Sequence, residues 1–444
     1  MSRLPAVLAL ASTVAAALSA QATPGQTSVG PVPSPAATVG PHPVIEPVDK
    51  HLIPTVRIAP DKGWPANAKP VAPAGIAVNA FATNLNHPRW LLVLPNGDVL
   101  VAETNAPPKP DDAKGIKGKV MKSVQKKAGA GVPTANRIVL LRDADGDGVA
   151  ETKTVFIDAL NSPFGMALVG EDLYVADSDA VLKFTYKPGE TSIAEPGVKL
   201  TDLPAGPINH HWTKNIIASP DGSRLYATTG SNSNAGENGL EAEQGRACVW
   251  EIDRASGQKH PYATGLRNPN GMAWVGDVLW TVSNERDELG DDLPPDYLTS
   301  LEPGAFYGFP WSYWGQHVDD RVKPADPAMV AKAVAPDYAL GAHVAALGLV
   351  AAPRTALPAP FAGGMFIGEH GSWNRKPPVG YKVQFVPFAS GAPSGMPIDV
   401  LTGFVNDKGE AYGRPVGVAI DTKGALLVAD DVGNTVWRLT GAAR

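Results

Sequence analysis

From Gly75 onward one pattern of polar and apolar positions keeps returning: a turn that holds Gly with Asn or Asp, then a short run of alternating apolar residues. Six copies are present, at Pro95–Ala102, Val169–Ala176, Pro220–Ala227, Val275–Val282, Phe361–Gly368 and Thr422–Ala429. Each has the two-residue period of a strand leaving a tight turn, so each predicts one hairpin. The copies fall roughly 50 to 90 residues apart, a spacing that suits blades with insertions. No long stretch sustains helical periodicity, and Pro327 to Ala346 is short and alanine-rich. The chain therefore reads as all-β. A six-bladed β-propeller accounts best for the count, because a closed ring of sheets leaves no exposed edges. A seventh blade would have to lie hidden between Met272 and Phe361.

The segments ahead of the repeats read differently. Residues 1–22 carry Arg3, the apolar run Leu4 to Leu18 and the small residues Ser19-Ala20-Gln21-Ala22, the layout of a secretory signal peptide. Residues 23–74 are rich in Pro, Ala, Gly and Thr without apolar periodicity, which predicts an extended linker, with His51 to Lys62 as a candidate early strand. The propeller domain is then 75–444. Export to a bacterial periplasm follows from the signal. No later segment reaches the roughly 18 apolar residues of a transmembrane helix.

Composition narrows the partners. The 46 glycines and 43 prolines fit a chain that turns often. The net charge of -6 argues against nucleic acid, and the basic cluster Lys114 to Lys127 is mixed with glycine and reads as a loop. The single cysteine, Cys248, excludes an internal disulfide framework and a Cys-rich metal site; its apolar neighbours make it a buried small hydrophobe.

In a propeller, the loops at one end of the axis converge. Gly265–Gly271 places Arg267 and Asn268 just before a predicted hairpin, and Tyr412–Pro415 places Arg414 in the same relative position. Arg375 and Lys376 follow the fifth repeat. Cations at matching ends of separate blades repel one another unless an anion lies between them, while local ion pairs are the plainer alternative. Asn209–Asn215 holds His210 and His211, either a general base or imidazoles that cap a loop. Asp287, Glu288, Asp291 and Asp292 are hard oxygen donors for Ca²⁺, or else a solvated acidic turn. Asp143, Asp145 and Asp147 alternate ahead of Gly148 like the opening of an EF-hand-type loop, with Glu151 at the ninth position and Thr154 at the twelfth. They predict a structural Ca²⁺ site away from the chemistry. Trp311, Tyr313 and Trp314 could stack on a sugar or a planar cofactor, with core packing the plainer use for most of them.

Read together, Gly265–Gly271, Asn284–Asp292 and Gly304–Pro310 resemble the pyrroloquinoline-quinone (PQQ) dependent sugar and aldose dehydrogenases. Glu369–Arg375 and Gly413–Ala419 are similar to the L-sorbosone dehydrogenase branch. The resemblance covers residues 76 to the end. It implies a six-bladed propeller with PQQ on the axis, Ca²⁺ beside it and a histidine as general base. In the family that histidine lies nine residues before the proline of a Pro-Asp turn, which is His211 counted from Pro220. Arg267 and Asn268 match the pair over the quinone, and Arg414 matches the late arginine. The cofactor lysine falls at Arg375 or Lys376, and Asn161 is the nearest counterpart of a cofactor glutamine. Where glucose-oxidising members have Gln-Gly-Pro, this chain has Arg286-Asp287-Glu288. The resemblance then implies metal ligation by backbone carbonyls aided by carboxylates, with Arg286 turned to a PQQ carboxylate.

The expected reaction is oxidation of an aldose or keto-aldehyde to the acid or lactone, with electrons passed to an external acceptor. Two alternatives stay open on sequence: a Ca²⁺-dependent sugar-lactone hydrolase and a non-catalytic binding propeller.

Overall fold

The computed structural model describes residues 35–49, 55–108 and 131–442. The signal-like segment, the first part of the Pro-rich stretch and the Lys114–Lys127 cluster lie outside the described residues. Six sheets form the six-bladed β-propeller, each blade a run of four antiparallel strands counted outward from the axis. The innermost strands of the first to sixth blades are Pro88–Val93, Met166–Val169, Ile216–Ala218, Asn268–Val275, Ala346–Ala352 and Pro415–Ile420. The second strands are Val99–Glu103, Asp172–Ala176, Arg224–Thr229, Val278–Asn284, Gly364–Glu369 and Leu426–Asp430. All six sequence repeats are therefore second strands with the turns that lead into them.

Closure uses both ends of the domain. Ile76–Ala82 is the outermost strand of the sixth blade, paired antiparallel with Thr435–Gly441 from Ile76 opposite Gly441. No seventh blade lies between Met272 and Phe361. That interval holds the rest of the fourth blade, including its outer strand Tyr338–Ala342, and an insertion with one small hairpin, Ser312–Tyr313 against His317–Val318.

Six apolar clusters, one between each pair of neighbouring blades, hold the ring. Phe366 and Phe385 of the fifth blade pack with Val428 and Trp437 of the sixth. Leu91 and Val139 of the first blade meet Leu427 and Val436 of the sixth. Each strand buries one face against each neighbour, so three of the six second strands are buried throughout, and burial of each large side chain is worth about 1.5–3 kcal/mol. Near the axis the inner strands come so close that a Cβ on Gly348 would lie 2.1 Å from the carbonyl oxygen of Val416. Cys248 is buried as expected, and burial pushes its thiol up to about 12. No helix among the described residues is long and apolar enough to cross a membrane.

The linker expectation for 23–74 needs correction where that stretch is described. Gly40 bridges to Ala339, the Asp49 amide donates to Leu289, and Arg57, Lys62 and Val71 bond to Trp373, Ala411 and Thr402. The arm thus crosses the fourth, fifth and sixth blades. Its lack of periodicity misleads because the anchors are backbone hydrogen bonds and scattered apolar side chains, Ile45, Ala59, Trp64 and Ala72, rather than an amphipathic face.

Candidate active site

Because adjacent strands are antiparallel, the start of each innermost strand and the end of each second strand lie at the same end of the axis. This loop face carries His87 and Arg89 from the first blade, His211 and Asn234 from the third, and Arg267 and Asp287 from the fourth. The fifth blade adds His343, His370 and Asn374; the sixth adds Arg414 and Asp431.

One cluster joins the third, fourth and fifth blades. Arg267 is buried; it donates from Nη1 to the Glu285 carbonyl (2.6 Å), from Nε to the Asn234 carbonyl (3.0 Å) and from Nη2 to Asn234 Oδ1 (2.8 Å). Its Nη2 also lies 3.4 Å from Asp287 Oδ2. The other Asp287 oxygen accepts from Asn374 Nδ2 at 2.8 Å, and Asn374 in turn lies 3.3 Å from His343 Nδ1. The Asp287 amide donates to Asn234 Oδ1 at 2.8 Å, so one asparagine ties both loops of the fourth blade.

His211, a residue of intermediate exposure, stands at the edge of this cluster. Its Nδ1 lies 2.9 Å from the Ser231 carbonyl, which accepts only, so Nδ1 carries the proton and Nε2 keeps its lone pair. Burial, then Arg267 and His210, hold the imidazole well below its usual value. Arg246 anchors the loop by donating to the His211 carbonyl (3.1 Å) and to Asn209 Oδ1 (2.9 Å).

A second cluster joins the first, fifth and sixth blades. Asp431 Oδ2 accepts from Arg89 Nη1 at 2.8 Å and pairs with His370 Nε2 at 2.9 Å, with His87 Nε2 at 3.5 Å. Burial opposes the Asp431 charge, but His370, His87 and Arg89 hold its carboxyl far below the usual range. Burial likewise pushes His87 down to about 4 and lowers His370. Arg414 is buried with neutral partners: the His370 carbonyl (3.3 Å), the Ala59 carbonyl (3.2 Å) and the Tyr381 ring, 4.7 Å from its guanidinium carbon. The Nε atoms of Arg89 and Arg414 find no acceptor among the described residues.

Several residues singled out in the sequence point elsewhere. Arg286 is fully buried and engaged by Glu285, Asp319 and the carbonyls of Pro310 and Ser312, with its guanidinium over the rings of Phe309 and Tyr313. Arg375 is clamped to Asp292 (2.6 Å) and the Asp291 carbonyl (3.1 Å), and the Lys376 amide donates to Asp291, with the lysine side exposed. Asn161 is exposed, its amide donating to Asp177. Asn268 is buried beside Gly230, its Oδ1 without a donor among the described residues.

These facts bear on the implied cofactor and metal. PQQ is a planar polycarboxylate, and it fits: Arg89 and Arg414 are buried cations with orphaned N–H groups at one end of the axis, and Arg267 joins them. A Ca²⁺ ion in the 286–292 loop does not fit as the sequence suggests. The Asp287 carbonyl already accepts from Arg321 Nη1 (2.9 Å) and Asn234 Nδ2 (3.3 Å). Asp291 and Asp292 are engaged by the Arg375–Lys376 segment, Asp287 by Arg267 and Asn374, and Glu288 lies exposed. Asp143, Asp145, Asp147 and Glu151 do converge, with one oxygen each within 4.8 Å of the others. That loop joins the outer strands of the first blade at the opposite end of the axis, and Lys423 Nζ reaches the Gly146 carbonyl there at 3.1 Å.

His87, Arg89, Asn234, His343 and Asp431 escaped the sequence reading. Their signal was positional: an acid or amide closes or follows nearly every second strand, as Glu103, Asp177, Glu369 and Asp430 do, and His87-Pro88-Arg89 opens an inner strand as Arg267-Asn268-Pro269 does.

The chain resembles known proteins across this architecture. The holo form of the PQQ domain of a pyranose dehydrogenase from Coprinopsis cinerea is 20% identical, with TM-score 0.67 over 86% of this chain and 100% of that one. A Trichoderma reesei enzyme of carbohydrate-active family AA12 is 19% identical, with TM-score 0.66 over 89% of this chain and 100% of that one. At such identities the likeness speaks for the fold. An uncharacterized protein of Borreliella burgdorferi is 28% identical over 241 residues, 53% of this chain and 62% of the relative's length. The TrAA12-like family model matches residues 130–304 and 314–442, more than half of the chain. The chain belongs to the TrAA12-like family.

Proposed function

We propose that this protein is a PQQ-dependent dehydrogenase that oxidises an aldose or a keto-aldehyde such as sorbosone, after export to the periplasm, and passes electrons to an external acceptor. The observation that carries this reading is that the buried Arg89 and Arg414 each keep an Nε–H without an acceptor among the described residues, at the same end of the axis as His211, whose imidazole is held well below its usual value. Its family membership, and neighbours described as a pyranose dehydrogenase PQQ domain and a PQQ-bound aldose sugar dehydrogenase from Streptomyces coelicolor, point the same way.

Arg89, Arg267 and Arg414 would hold the carboxylates and quinone oxygens of PQQ, with Asn268 beside them. When bound, the group supplies a two-electron acceptor for the hydride leaving the substrate carbon. His211 Nε2 takes the proton of the substrate hydroxyl, or of a hydrated aldehyde, while its Nδ1–H stays fixed on the Ser231 carbonyl. Burial and the neighbouring Arg267 disfavour a lasting imidazolium, so the proton is passed on from His211. Both electrons leave with the hydride and the proton leaves through His211, which yields the acid or lactone. No step here depends on a metal in the 286–292 loop. A Ca²⁺ ion at Asp143, Asp145 and Asp147 would be structural. The lactone-hydrolase alternative needs free axial carboxylates, and Asp287, Asp291 and Asp292 are engaged by the protein itself.

The test is direct. PQQ is added to the purified protein, the quinone absorbance is followed, and dye reduction is assayed with aldoses and sorbosone. Failure to bind PQQ would end this reading, and lactone hydrolysis without PQQ would favour the alternative.

A further inference from the structure

The hydrogen-bond acceptors of Arg414 among the described residues are all neutral, and one of them comes from outside the propeller. Its Nη2 donates to the carbonyl of Ala59, in the arm that crosses the sixth blade, and its Nη1 donates to the His370 carbonyl. Neutral acceptors fix the direction of a cation without cancelling its charge, which suits a group that must meet an anion.

The arm is locked to the same turn by a second route. Asp430 Oδ1 accepts the Arg414 amide (2.7 Å) and the Gly433 amide (2.8 Å). Its Oδ2 accepts Trp64 Nε1 from the arm (2.7 Å) and Trp437 Nε1 (3.1 Å). The Trp64 ring sits among Phe404, Tyr412 and Trp437, with centroids 5.3 to 5.5 Å apart. Ala59 is fully buried, and the Lys62 and Ala411 amides close the arm onto the strand end with two 2.8 Å bonds. Space at the joint is fully used: a Cβ on Gly433 would lie 2.1 Å from Asp430 Oδ2 and 2.6 Å from Trp64 Nε1.

We infer that residues 57–64 are a strap that positions Arg414 for an anionic cofactor, through the Ala59 carbonyl and through Trp64 on Asp430. Trp64 and Asp430 are thus positioning residues, and the arm is part of the binding site. This rests on the reading of Arg414 as a ligand of PQQ.

Two full-length variants test it. Trp64→Phe keeps the ring and removes the N–H to Asp430, and Ala59→Leu overfills a buried site and lifts the carbonyl. Each is titrated with PQQ and with its trimethyl ester, which keeps the ring system and lacks the charges. The expected result is about tenfold weaker PQQ binding with ester binding unchanged. Equal weakening of both ligands would mean general damage and overturn the inference, as would unchanged PQQ binding. Hydrogen exchange at the Arg414 and Gly433 amides of the unliganded protein is read in parallel, and faster exchange in both variants is expected. If the wild type binds no PQQ, the functional reading fails on its own; the strap stands or falls on exchange, and unchanged exchange overturns it.

Discussion

Arg321 Nη1 donates to the backbone carbonyl of Asp287 at 2.9 Å, which sets a guanidinium at the loop where the sequence implied a calcium ion. A divalent ion on that carbonyl would face the Arg321 guanidinium at short range and be repelled by it. PQQ binding by the wild type is therefore expected to be insensitive to chelators. Arg321→Gln frees the carbonyl and leaves Asp287 and Glu288 less compensated, so this variant should gain Ca²⁺-dependent PQQ affinity. Titration with and without EDTA checks both, and chelator-sensitive binding by the wild type would show that the metal displaces Arg321.

His211 is expected to act on the proton and not on the cofactor. His211→Ala should leave PQQ affinity within about twofold and lower turnover by about 10²–10⁴-fold, the usual contribution of a general base. Because burial and Arg267 hold the imidazole well below its usual value, the acid limb of the wild-type rate profile should lie below pH 6.5. Unchanged turnover in the variant would remove His211 from the mechanism.

Arg286 should matter for stability alone. It is fully buried and pairs with Glu285 at 3.1 Å and Asp319 at 3.2 Å; Asp319 keeps Arg321, but removing Arg286 strands the buried Glu285, a loss that costs roughly 3–5 kcal/mol. Arg286→Met should lower the melting temperature by several degrees while the folded fraction binds PQQ normally. Thermal unfolding alongside PQQ titration separates the two effects.

Glu369 gives a pH dependence of known sign. Burial pushes its carboxyl up to about 8, and neither oxygen has a partner among the described residues. Between its ordinary value near 4.5 and about 8 the folded protein holds a proton that the unfolded chain has released, so stability falls as pH rises through that window. Glu369→Gln should flatten this slope, seen as a smaller loss of melting temperature from pH 5 to pH 8. A slope identical to that of the wild type would mean that Glu369 is not the group responsible.

Much of the architecture was legible because it rests on local chemistry. Turn residues and two-residue alternation are written into each short stretch, so all six repeats proved to be second strands, and Cys248 sat in an apolar strand as its neighbours implied. Arg267, Arg414 and His211 were also visible, since the two arginines directly precede inner strands, His211 lies in the loop that leads into another, and antiparallel topology sends such positions to one end of the axis. The last blade was harder, because its outer strand, Ile76–Ala82, lies more than 300 residues from its partner at Thr435–Gly441 in the sequence.

Charge pairing was not legible at all. A run of four acids reads the same whether it waits for a metal or is already neutralised, and the partners Arg321, Arg375 and Asn374 come from 30 to about 90 residues away. The same holds for the arm: composition alone made 23–74 a linker, whereas Ala59 and Trp64 acquire their roles only where the sixth blade supplies Arg414 and Asp430. Local sequence thus determined the six hairpins and the places of Arg267, Arg414 and His211 ahead of inner strands. Only the tertiary structure decided which of those charges remain uncompensated, because electrostatic neutralisation depends on distances between blades that no local pattern encodes.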